Sequence, residues 1–400
     1  MTNAFGGSAG EQLGEIVIVG GGPVGLTAAL ALARQGRHVE IVEELSEPST
    51  QWRASTFHPP TLAMAARLGV ADTMIAEGLI APKVQMRDRK SGVFAEFDYR
   101  VIAEDTPYPY RLQLEQYKYV EILSRALAEL PNVRMRRGAR AITVTQTDDH
   151  VQLEVDTGSG REHVRGQWLL GADGAHSVVR SAIGTEFEGL TYEHRYLVLS
   201  VDAPLDELIP GLIEVNYISD PDEHVLLLRI PDLWRAVFSV RNDRPTEELL
   251  SDQNVRERLA NLLDANVEDQ VVARQLYRVH QRVAGTLHAG RIMLLGDAAH
   301  VNSPMGGMGL NGGIHDAFEL SQVFATRPVP EFEALMNWAD RRRRIAIKDI
   351  QAQTHRNTMA LSEIDPHERR RYQDQMRATA ADPARAREYL LQAAMLVEAT

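Results

Sequence analysis

The pattern of apolar residues along the chain predicts a strand, a helix and a second strand close to its start. The stretch Glu15–Val19 is rich in β-branched residues and almost wholly apolar, as expected for a strand buried in a parallel sheet. Apolar residues then recur at helical spacing from about Pro23 to Gln35, and a second apolar run, His38–Val42, follows. Strand, glycine-rich turn, helix and strand in this order predict a βαβ unit.

The rest of the chain divides into strand-rich and helical stretches. Short apolar runs predict strands within residues 84–99 and 141–170, and at 196–201, 213–217, 225–230, 234–240 and 291–295. Helical spacing predicts helices over residues 60–80, 117–130 and 247–275, and over the charged region that follows Pro330. Because the runs between residues 195 and 245 follow one another without helices, we expect an antiparallel sheet there.

Composition and charge remove several functional classes. The 400 residues carry 43 Lys and Arg against 55 Asp and Glu, and the net charge of −12 argues against a general nucleic-acid binder. The absence of cysteine excludes disulfides, thiolate metal sites and a cysteine nucleophile, and it fits a reducing, cytoplasmic location. No apolar run reaches the roughly 18–20 residues of a membrane span. Residues 1–15 lack the pattern of a signal peptide and are predicted to form a frayed tail.

The first motif, Gly-Gly-Gly-Pro-Val-Gly at residues 20–25, matches GxGxxG between the first strand and the first helix. Gly20 allows the tight turn, Gly22 lets a pyrophosphate approach the backbone, and Gly25 lets the helix pack closely on the strand. The start of the helix offers free N–H groups to the phosphates. Glu43 ends the second strand, where its carboxylate can accept hydrogen bonds from ribose hydroxyls. A glycine-rich turn without a ligand is the alternative, and the placement of the acid disfavours it.

The second motif, GADGAHSVVR at residues 171–180, also follows an apolar strand. By itself it reads equally well as a turn that Asp173 caps. This motif alone therefore does not decide between a structural role and a ligand site.

The third motif, residues 296–317, begins with GDAAH and ends with PMGGMGLNGGIHDA. Asp297 can accept a hydrogen bond from a ribityl hydroxyl. The helix predicted to begin near Leu310 directs its positive end toward the anionic edge of a reduced flavin. For His300 and His315, local hydrogen bonds are favoured over metal ligation, because no acidic or histidine cluster surrounds them in the sequence. No metal site is predicted.

The three motifs, in this order and spacing, resemble those of the group A flavoprotein monooxygenases, the single-component aromatic hydroxylases typified by para-hydroxybenzoate hydroxylase. The resemblance covers about residues 14–325. It implies an α/β fold, in which an antiparallel-sheet substrate domain is inserted into a glutathione-reductase-type, Rossmann-like FAD domain. The implied boundaries are 12–80, 100–185 and 283–325 for the FAD-binding domain, 81–99 and 186–282 for the substrate domain, and 326–400 for C-terminal helices.

The resemblance also assigns roles to single residues. Glu43 matches the acid that binds the adenosine ribose of FAD, Arg53 an arginine near the flavin and pyrophosphate, and Gln116 a glutamine that contacts FAD. Asp173 heads the motif that serves FAD and the approach of the nicotinamide cofactor. Met308 departs from the family, many members of which have glutamine there. The residues predicted to bind the cofactor are Gly20, Gly22, Pro23, Val24, Gly25, Glu43, Arg53, Gln116, Asp173, Gly296, Asp297, Gly309, Leu310 and Asn311.

The reaction that the resemblance implies uses tight, noncovalent FAD. NADH or NADPH would reduce it after transient binding, since the chain has a single dinucleotide fingerprint. O2 would then form a flavin C4a-hydroperoxide, which hydroxylates an electron-rich ring such as a phenol or a hydroxylated heteroaromatic. Pro304, Gly306 and Gly307 are predicted to form the flavin and oxygen pocket of the catalytic site, and no side-chain base is assigned.

Two groups of residues outside the motifs receive a structural interpretation. Four polar or aromatic residues lie in the strand-rich insert, beside which the substrate is expected: Tyr217, His224, Arg229 and Trp234. Packing or surface positions are favoured for each, and the faces they occupy depend on a strand register that the sequence leaves open. The arginine run at residues 341–344 is interpreted as a solvated helix face, because acidic residues flank it.

Two other functions stay open beside the hydroxylase. One is a related flavoenzyme, either a halogenase or an isoprenoid-type reductase, although the four tryptophans are too dispersed for the halogenase WxWxIP signature. The other is a flavin-binding protein without turnover. The expected partners are a small aromatic substrate and O2, without nucleic acid or a membrane span, and the chain is expected to be a monomer or a homodimer.

Overall fold

The computed structural model describes residues 14–51, 53–263, 265, 267–327 and 329–397. The predicted N-terminal tail lies almost wholly outside these residues, and Trp52 lies outside them too. Among the helices of the described ranges, none is both long enough and apolar enough to cross a membrane.

The strands of the described chain form two large sheets and one small sheet. In chain order they are β1 (Gly14–Val19), β2 (Val39–Val42), β3 (Thr56–Phe57), β4 (Leu79–Ala81), β5 (Lys83–Asp88), β6 (Gly92–Asp98), β7 (Arg111–Gln113), β8 (Val133–Arg136), β9 (Arg140–Gln146), β10 (Val151–Asp156), β11 (Arg161–Gly171), β12 (Phe187–Val201), β13 (Val215–Ser219), β14 (Val225–Arg229), β15 (Trp234–Arg241), β16 (Val271–Ala284), β17 (His288–Ala289), β18 (Ile292–Leu294) and β19 (His300–Val301).

The α-helices of the same ranges pack on these sheets. In chain order they are α1 (Pro23–Ala33), α2 (Pro59–Arg67), α3 (Ala71–Glu77), α4 (Gln116–Ala128), α5 (Val178–Ala182), α6 (Leu205–Leu208), α7 (Thr246–Leu249), α8 (Asp252–Leu263), α9 (Met308–Ala325), α10 (Phe332–Ile345), α11 (Ala352–Leu361), α12 (Pro366–Ala381) and α13 (Pro383–Ala393). Short 3-10 helices cover Tyr99–Ile102, Glu268–Gln270 and Gly296–Ala298, and a π-helix, Ala346–Gln351, joins α10 to α11. The region after Pro330 is therefore mainly helical, as predicted.

The first large sheet has parallel strands at its centre, in the order β18, β11, β1, β2 and β8. Ile16, Val17 and Ile18 of β1 have no exposed surface. Helix α1 packs against α4 and α9 beside this sheet. The continuous apolar run of β1 follows from burial on both faces of the sheet. The predicted βαβ unit is present as β1, α1 and β2.

The second large sheet runs in the order β19, β16, β12, β15, β14, β13, β5 and β6. Its strand pairs are antiparallel, as predicted, except for the parallel pair of β13 and β5. Side chains alternate along β12, so that Tyr196 and Val198 share a core with α12 and α13, whereas Leu197 and Leu199 pack with α8. The period of two along the strand therefore gives this sheet two separate apolar faces.

Two helices predicted from apolar spacing differ in the structure. The helix predicted over residues 247–275 ends at Leu263 in α8, and residues 271–284 are the strand β16. Because β16 is polar on one face and pairs with β12 through its backbone, its sequence has no continuous apolar run that marks it as a strand. The helix predicted over residues 60–80 is divided into α2 and α3, since Gly69 adopts a φ of 61° that ends the first helix.

The two large sheets draw their strands from alternating stretches of the chain. β1, β2, β8 to β11, β17 and β18 belong to the first sheet, and β5, β6, β12 to β16 and β19 belong to the second. The small sheet consists of β3, β7 and β4, which all come from residues 56–113. The predicted domain boundaries stay a prediction. β19 pairs with the second sheet, although it lies in the stretch 283–325 that was predicted for the FAD-binding domain.

A fully buried carboxylate, Asp316 of α9, joins the loop after β18 to two helices. Its Oδ2 atom accepts hydrogen bonds from the Gly296 amide at 3.0 Å and from His300 Nε2 at 2.8 Å. Its Oδ1 atom accepts one from Nε of Arg342, in α10, at 2.7 Å. Burial acts to raise the pKa of Asp316, but His300 and Arg342 outweigh burial and lower this pKa to about 2.

The pairing of Arg342 corrects the interpretation of the arginine run at 341–344 as a solvated face. The side chain of Arg342 is only 2% exposed, whereas Arg344 is exposed. Arg341, at 46% exposure, places its guanidinium 2.8 Å from Glu319 Oε2. Because a helix turns every 3.6 residues, neighbours in such a run face different directions. The interpretation is wrong at Arg342, since one of the four residues faces the interior.

We expect Arg342→Met to lower the free energy of unfolding by roughly 3–5 kcal/mol, because it leaves the Asp316 carboxylate buried without its cationic partner. Arg344→Met, a matched change in the same run, is expected to stay within about 0.5 kcal/mol of the wild type. Urea unfolding of the three holoproteins measures both effects. Equal losses in the two variants would contradict the assigned role of the Arg342–Asp316 pair.

Candidate active site

A cavity of about 1340 Å³ opens where the two large sheets meet. Its volume exceeds the range of roughly 300–1,000 Å³ that is usual for sites of drug-sized molecules. The predicted site residues that line it come from all three motifs and from the segments between them: Gly20, Gly22, Pro23, Val24, Glu43, Arg53, Gln116, Asp173, Asp297, Pro304, Gly307, Gly309 and Leu310. The fold thus brings together side chains that are far apart in the sequence.

Glycines of the first motif are required for two different reasons. A Cβ atom at Gly20 would lie 2.3 Å from the carbonyl oxygen of Ala172, and one at Gly25 would lie 2.0 Å from that of Gly20. These two positions are therefore fixed by close backbone packing. A Cβ atom at Gly22 would meet nothing within 4 Å, because this residue faces the open cavity. Such an open cradle of backbone fits the approach of a pyrophosphate.

The start of α1 faces the same part of the cavity. Gly22 is the N-cap of this helix and no side chain caps it, so the helix end is free to bind an anion. Glu43 stands beside it at the end of β2. Its Oε2 atom accepts a hydrogen bond from the Gly21 amide at 2.5 Å, and its Oε1 atom accepts one from the Leu45 amide at 2.9 Å. These bonds fix the carboxylate at the cavity wall, where it can still accept from a ribose.

Asp297 presents a carboxylate to the cavity without any hydrogen bond or ion pair to the described residues. Its side chain is accessible from the cavity, and protein surrounds it on the other sides. Burial raises the pKa of Asp297, while His300 and Arg53 act in the opposite direction. A polar group left unpartnered at a cavity wall fits hydrogen bonding to a ligand hydroxyl.

Asp173 has a structural role in the described chain. Its Oδ1 atom accepts a hydrogen bond from Ser177 Oγ at 2.5 Å, and its Oδ2 atom accepts from the amides of Val178 and Val179 at 2.7 and 3.1 Å. These bonds hold the turn before α5, which is the structural alternative that the sequence left open. Burial raises the pKa of Asp173. The residue also lines the cavity, and its contact with a cofactor stays a prediction.

The loop before α9 is held from several sides. Gly306 and Gly307 adopt φ values of 123° and 69°, which favour glycine. Nε2 of His58 donates to the Gly306 carbonyl at 2.9 Å, Ser303 Oγ lies 2.7 Å from Thr358 Oγ1, and Asn357 Nδ2 donates to the Met305 carbonyl at 3.1 Å.

Helix α9 begins at Met308, earlier than the predicted Leu310, and no side chain caps its start. The positive end of the helix therefore lies at the cavity, as the sequence predicted.

The remaining predicted residues, Gly25, Gly296, Gly306 and Asn311, do not line this cavity. A Cβ atom at Gly296 would meet the Val24 side chain at 2.9 Å, so this glycine is required for packing. Nδ2 of the Asn311 side chain donates to the backbone carbonyls of Gly307 and Thr56 at 2.6 and 2.8 Å. Asn311 therefore supports the loop from below, and direct contact of these four residues with a cofactor stays a prediction.

The wall opposite the motifs is formed by the second large sheet. Its cavity-lining residues are Tyr217, Leu226, Leu228, Arg235, Val237, Gln275, Leu276 and Tyr277. Arg235 is 6% exposed and donates a hydrogen bond to the Arg53 carbonyl. The sequence reasoning missed Arg235 and Tyr277, because only the pairing of β15 and β16 in this sheet shows which residues face the cavity.

Of the four residues singled out in the insert, Tyr217 lines the cavity. His224 is buried and bonded to the Tyr196 hydroxyl at 2.9 Å, and burial lowers its pKa to about 3. Trp234 is 1% exposed in the core beside α8, and Arg229 lies 5.4 Å from its ring centroid. Packing therefore accounts for these three residues, as the sequence favoured.

The histidines of the third motif make local hydrogen bonds. His300 contacts Asp316, and Nε2 of His315 lies 3.0 Å from Thr61 Oγ1. Burial lowers the pKa of His315 to about 3, so its ring is neutral near pH 7. Within the described residues, no group of three or more histidine, aspartate or glutamate side chains is arranged to hold a metal ion.

Comparison with known proteins places this geometry among flavoproteins. A family model described as FAD binding domain matches residues 14–349. Para-nitrophenol 4-monooxygenase from Pseudomonas sp. (strain WBC-3) is 33% identical over 392 residues, which are 95% of this chain and 95% of that protein. 6-Hydroxy-3-succinoylpyridine 3-monooxygenase from Pseudomonas putida is 36% identical over 311 residues, which cover 77% and 78% of the two chains.

A solved structure agrees over nearly the whole length of the chain. The crystal structure of p-nitrophenol 4-monooxygenase from Pseudomonas putida superposes with a TM-score of 0.91 at 32% identity, over 96% of this chain and 98% of that one. This match and the family model confirm the predicted fold class.

The open cradle at Gly22 predicts a change that affects FAD binding without affecting folding. Gly22→Ala adds a methyl group to cavity space, so the melting temperature of the apoprotein is expected to stay unchanged while the Kd for FAD rises about tenfold or more. Gly25→Ala, the matched change, is expected to destabilise the apoprotein itself through its contact with Gly20. Flavin fluorescence titration and thermal unfolding measure the two effects. An unchanged Kd for FAD in Gly22→Ala would show that no ligand approaches this backbone.

The unpartnered carboxylate of Asp297 predicts a second loss of cofactor affinity. Because a hydrogen bond to a charged group contributes about 1.5–3 kcal/mol, Asp297→Ala is expected to weaken FAD retention roughly ten- to a hundredfold. Glu47→Gln, which changes an exposed carboxylate of the same cavity, serves as the control and is expected to leave retention unchanged. Equal FAD affinity in Asp297→Ala and the wild type would exclude contact between this carboxylate and the cofactor.

Proposed function

Because the chain belongs to the FAD binding domain family, we propose that it is an FAD-dependent monooxygenase that hydroxylates a small aromatic substrate. NADH or NADPH is the proposed reductant, and O2 is the proposed source of the inserted oxygen. The proposal is supported by one observation above all. In a single cavity, residues of the three glycine-containing motifs face an apolar and aromatic wall of the second sheet.

This wall suits a planar, apolar molecule that carries a polar group. Leu226, Leu228 and Val237 supply apolar surface, and the rings of Tyr217 and Tyr277 supply flat faces. Pro304 and Gly307 of the loop before α9 line the same cavity, as do Gly309 and Leu310 of α9. A ring held between the loop and the wall would exclude water from the space between them, which favours oxygen transfer over side reactions.

The names of the two relatives narrow the proposed substrate class. One acts on para-nitrophenol at position 4, and the other acts on 6-hydroxy-3-succinoylpyridine at position 3. In both names the numbered carbon lies para to the ring hydroxyl and carries the other substituent. We propose for this chain a phenol or hydroxypyridine with a substituent para to its hydroxyl group.

The residues of the cavity fit FAD as the cofactor. Bound FAD supplies the transfer of electrons from NAD(P)H to O2 and the activation of oxygen for attack on an electron-rich ring. Gly22 and the start of α1 would hold the pyrophosphate, Glu43 the adenosine ribose, and Asp297 a ribityl hydroxyl. The uncapped start of α9 would stabilise negative charge on the reduced ring system by up to roughly 1–2 kcal/mol.

An isotope experiment tests the proposed function. The purified holoprotein is expected to release FAD, not FMN, on denaturation. It is expected to oxidise NAD(P)H slowly alone and much faster with a suitable phenol, and 4-nitrophenol is the first to try. With 18O2, the product of a stimulating substrate should contain one labelled oxygen atom.

The same experiment separates the alternatives. If the label appears only in peroxide or water for every stimulating compound, the monooxygenase proposal is wrong and an oxidase or reductase replaces it. If bound flavin is present but no compound stimulates NAD(P)H oxidation, a flavin-binding protein without turnover is favoured. Halide-dependent product formation would indicate a halogenase.

A further inference from the structure

A second, much smaller cavity shares the lining residue Tyr217 with the large cavity. Its volume is about 20 Å³, which is enough for roughly one water molecule and too small for an aromatic ring. Tyr217 lines both cavities. In the loop before α9, Gly306 lines the small cavity and Gly307 lines the large one. The two cavities therefore adjoin, and a substituent of a ring in the large cavity would pass Tyr217 to reach the small one.

Arg111 of β7 is the charged residue of this small cavity, and it is 4% exposed. Its Nε atom donates to the Tyr99 hydroxyl at 2.6 Å, and its Nη1 atom donates to the Tyr217 hydroxyl at 3.1 Å. In the described part of the chain, no carboxylate forms an ion pair with it. A buried guanidinium without an anionic partner is costly, and a bound anion would offset this cost.

The hydrogen bonds around Arg111 leave donors without acceptors. A guanidinium has five N–H donors, and two atoms of Arg111 use one each on the tyrosine hydroxyls. Because both hydroxyl oxygens accept from Arg111, the protons of Tyr99 and Tyr217 are themselves free to donate. Across the described ranges, neither hydroxyl has a further partner. The cluster thus offers several donors and lacks a group that only accepts.

Neighbouring titratable groups do not supply the missing negative charge. Burial lowers the pKa of His58 well below its usual value, and Arg111 lowers it further, so this ring is neutral near pH 7. Burial raises the pKa of Tyr389 well above its usual range and that of Tyr372 to about 12, so both hydroxyls keep their protons. At neutral pH, Arg111 is therefore the charged group of the small cavity.

We propose that Arg111, Tyr99 and Tyr217 form an anion-binding subsite that holds a negatively charged oxygen group of the aromatic substrate. The subsite deepens the proposed function and rests on it. The oxygen group would enter the small cavity past Tyr217, accept hydrogen bonds from the guanidinium and the two hydroxyls, and fix the position of the ring beside the α9 loop. A phenolate oxygen carries this charge in full, and the two oxygens of a neutral nitro group carry part of it.

The C-terminal helices complete the subsite. Tyr389 of α13 stacks on Phe97 with ring centroids 4.3 Å apart, and both Tyr389 and Tyr372 line the small cavity. Gln373 of α12 donates to Asp88 at 3.2 Å. These contacts hold α12 and α13 against β5 and β6, the hairpin that carries Val84 and Met86 of the cavity lining.

Equilibrium binding to the oxidised holoenzyme tests the subsite without turnover. The probes are 4-nitrophenol, 4-cyanophenol and 4-nitroanisole, at a pH at which both phenols are ionised, and the signal is the change in flavin absorbance. We expect Arg111→Gln to weaken 4-nitrophenol about 10- to 100-fold. A matching loss for 4-cyanophenol with 4-nitroanisole unaffected identifies the phenolate as the bound group, and the reverse pattern identifies the nitro group.

Controls distinguish the subsite from a structural role of Arg111. Arg125→Gln makes the same change at an exposed arginine that lines neither cavity, and it is expected to leave all three Kd values within about twofold. FAD content and melting temperature are measured for each variant. If Arg111→Gln does not fold, Arg111→Lys, which keeps the charge but loses the forked donors, is expected to show the same probe selectivity with a smaller loss.

Three results would overturn the inference: unchanged Kd values in the Arg111 variants, equal losses for all three probes, or a wild-type holoenzyme that binds none of them. Failure of the proposed function has a different signature. In that case the charged probes still bind in an Arg111-dependent way, but no labelled oxygen enters any ring.

Discussion

The architecture of the site depends on one buried charge, the Asp316 carboxylate. It receives the Gly296 amide, His300 and Arg342, so a loop, a strand end and two helices meet at a group that is wholly removed from water. In that environment each hydrogen bond is strong, and an unmade one is costly. The direction of α9 and the position of Asp297, which follows Gly296 directly, are consequently set together.

Several buried polar atoms of the described chain lack a hydrogen-bond partner. Four of them lie on or beside β3, β7 and β15: Ser55 Oγ, His58 Nδ1, Gln113 Nε2 and Arg235 Nε. Others, such as Gln35 Oε1 and Trp338 Nε1, lie elsewhere in the fold. Because native proteins leave few buried polar atoms unsatisfied, and because Ser55 and Arg235 also line the large cavity, a bound ligand would be able to satisfy these two.

The sequence predicted those parts of the site that depend on local geometry. Gly20, Gly22 and Glu43 could be assigned because a strand, a tight turn and a helix fix their positions within a few residues. Arg111, Arg235 and β16 could not be assigned, since their surroundings come from strands distant in sequence whose register decides which face each residue occupies. Arg342 is the clearest case. The residues at 341–344 are all arginine, so nothing in the run itself distinguishes the buried Arg342. Only its contact with Asp316 of α9 does so.

The π-helix at Ala346–Gln351 sets the rotational phase of everything that follows it. A π-helical turn holds one more residue than an α-helical turn, so it rotates α11 about 100° relative to a continuous α10. Asn357 and Thr358 reach the loop before α9 in this phase. The number of residues in this π-helical turn is therefore as strictly constrained as their identity. A relative that lost one residue here would need a different set of side chains to hold the same loop.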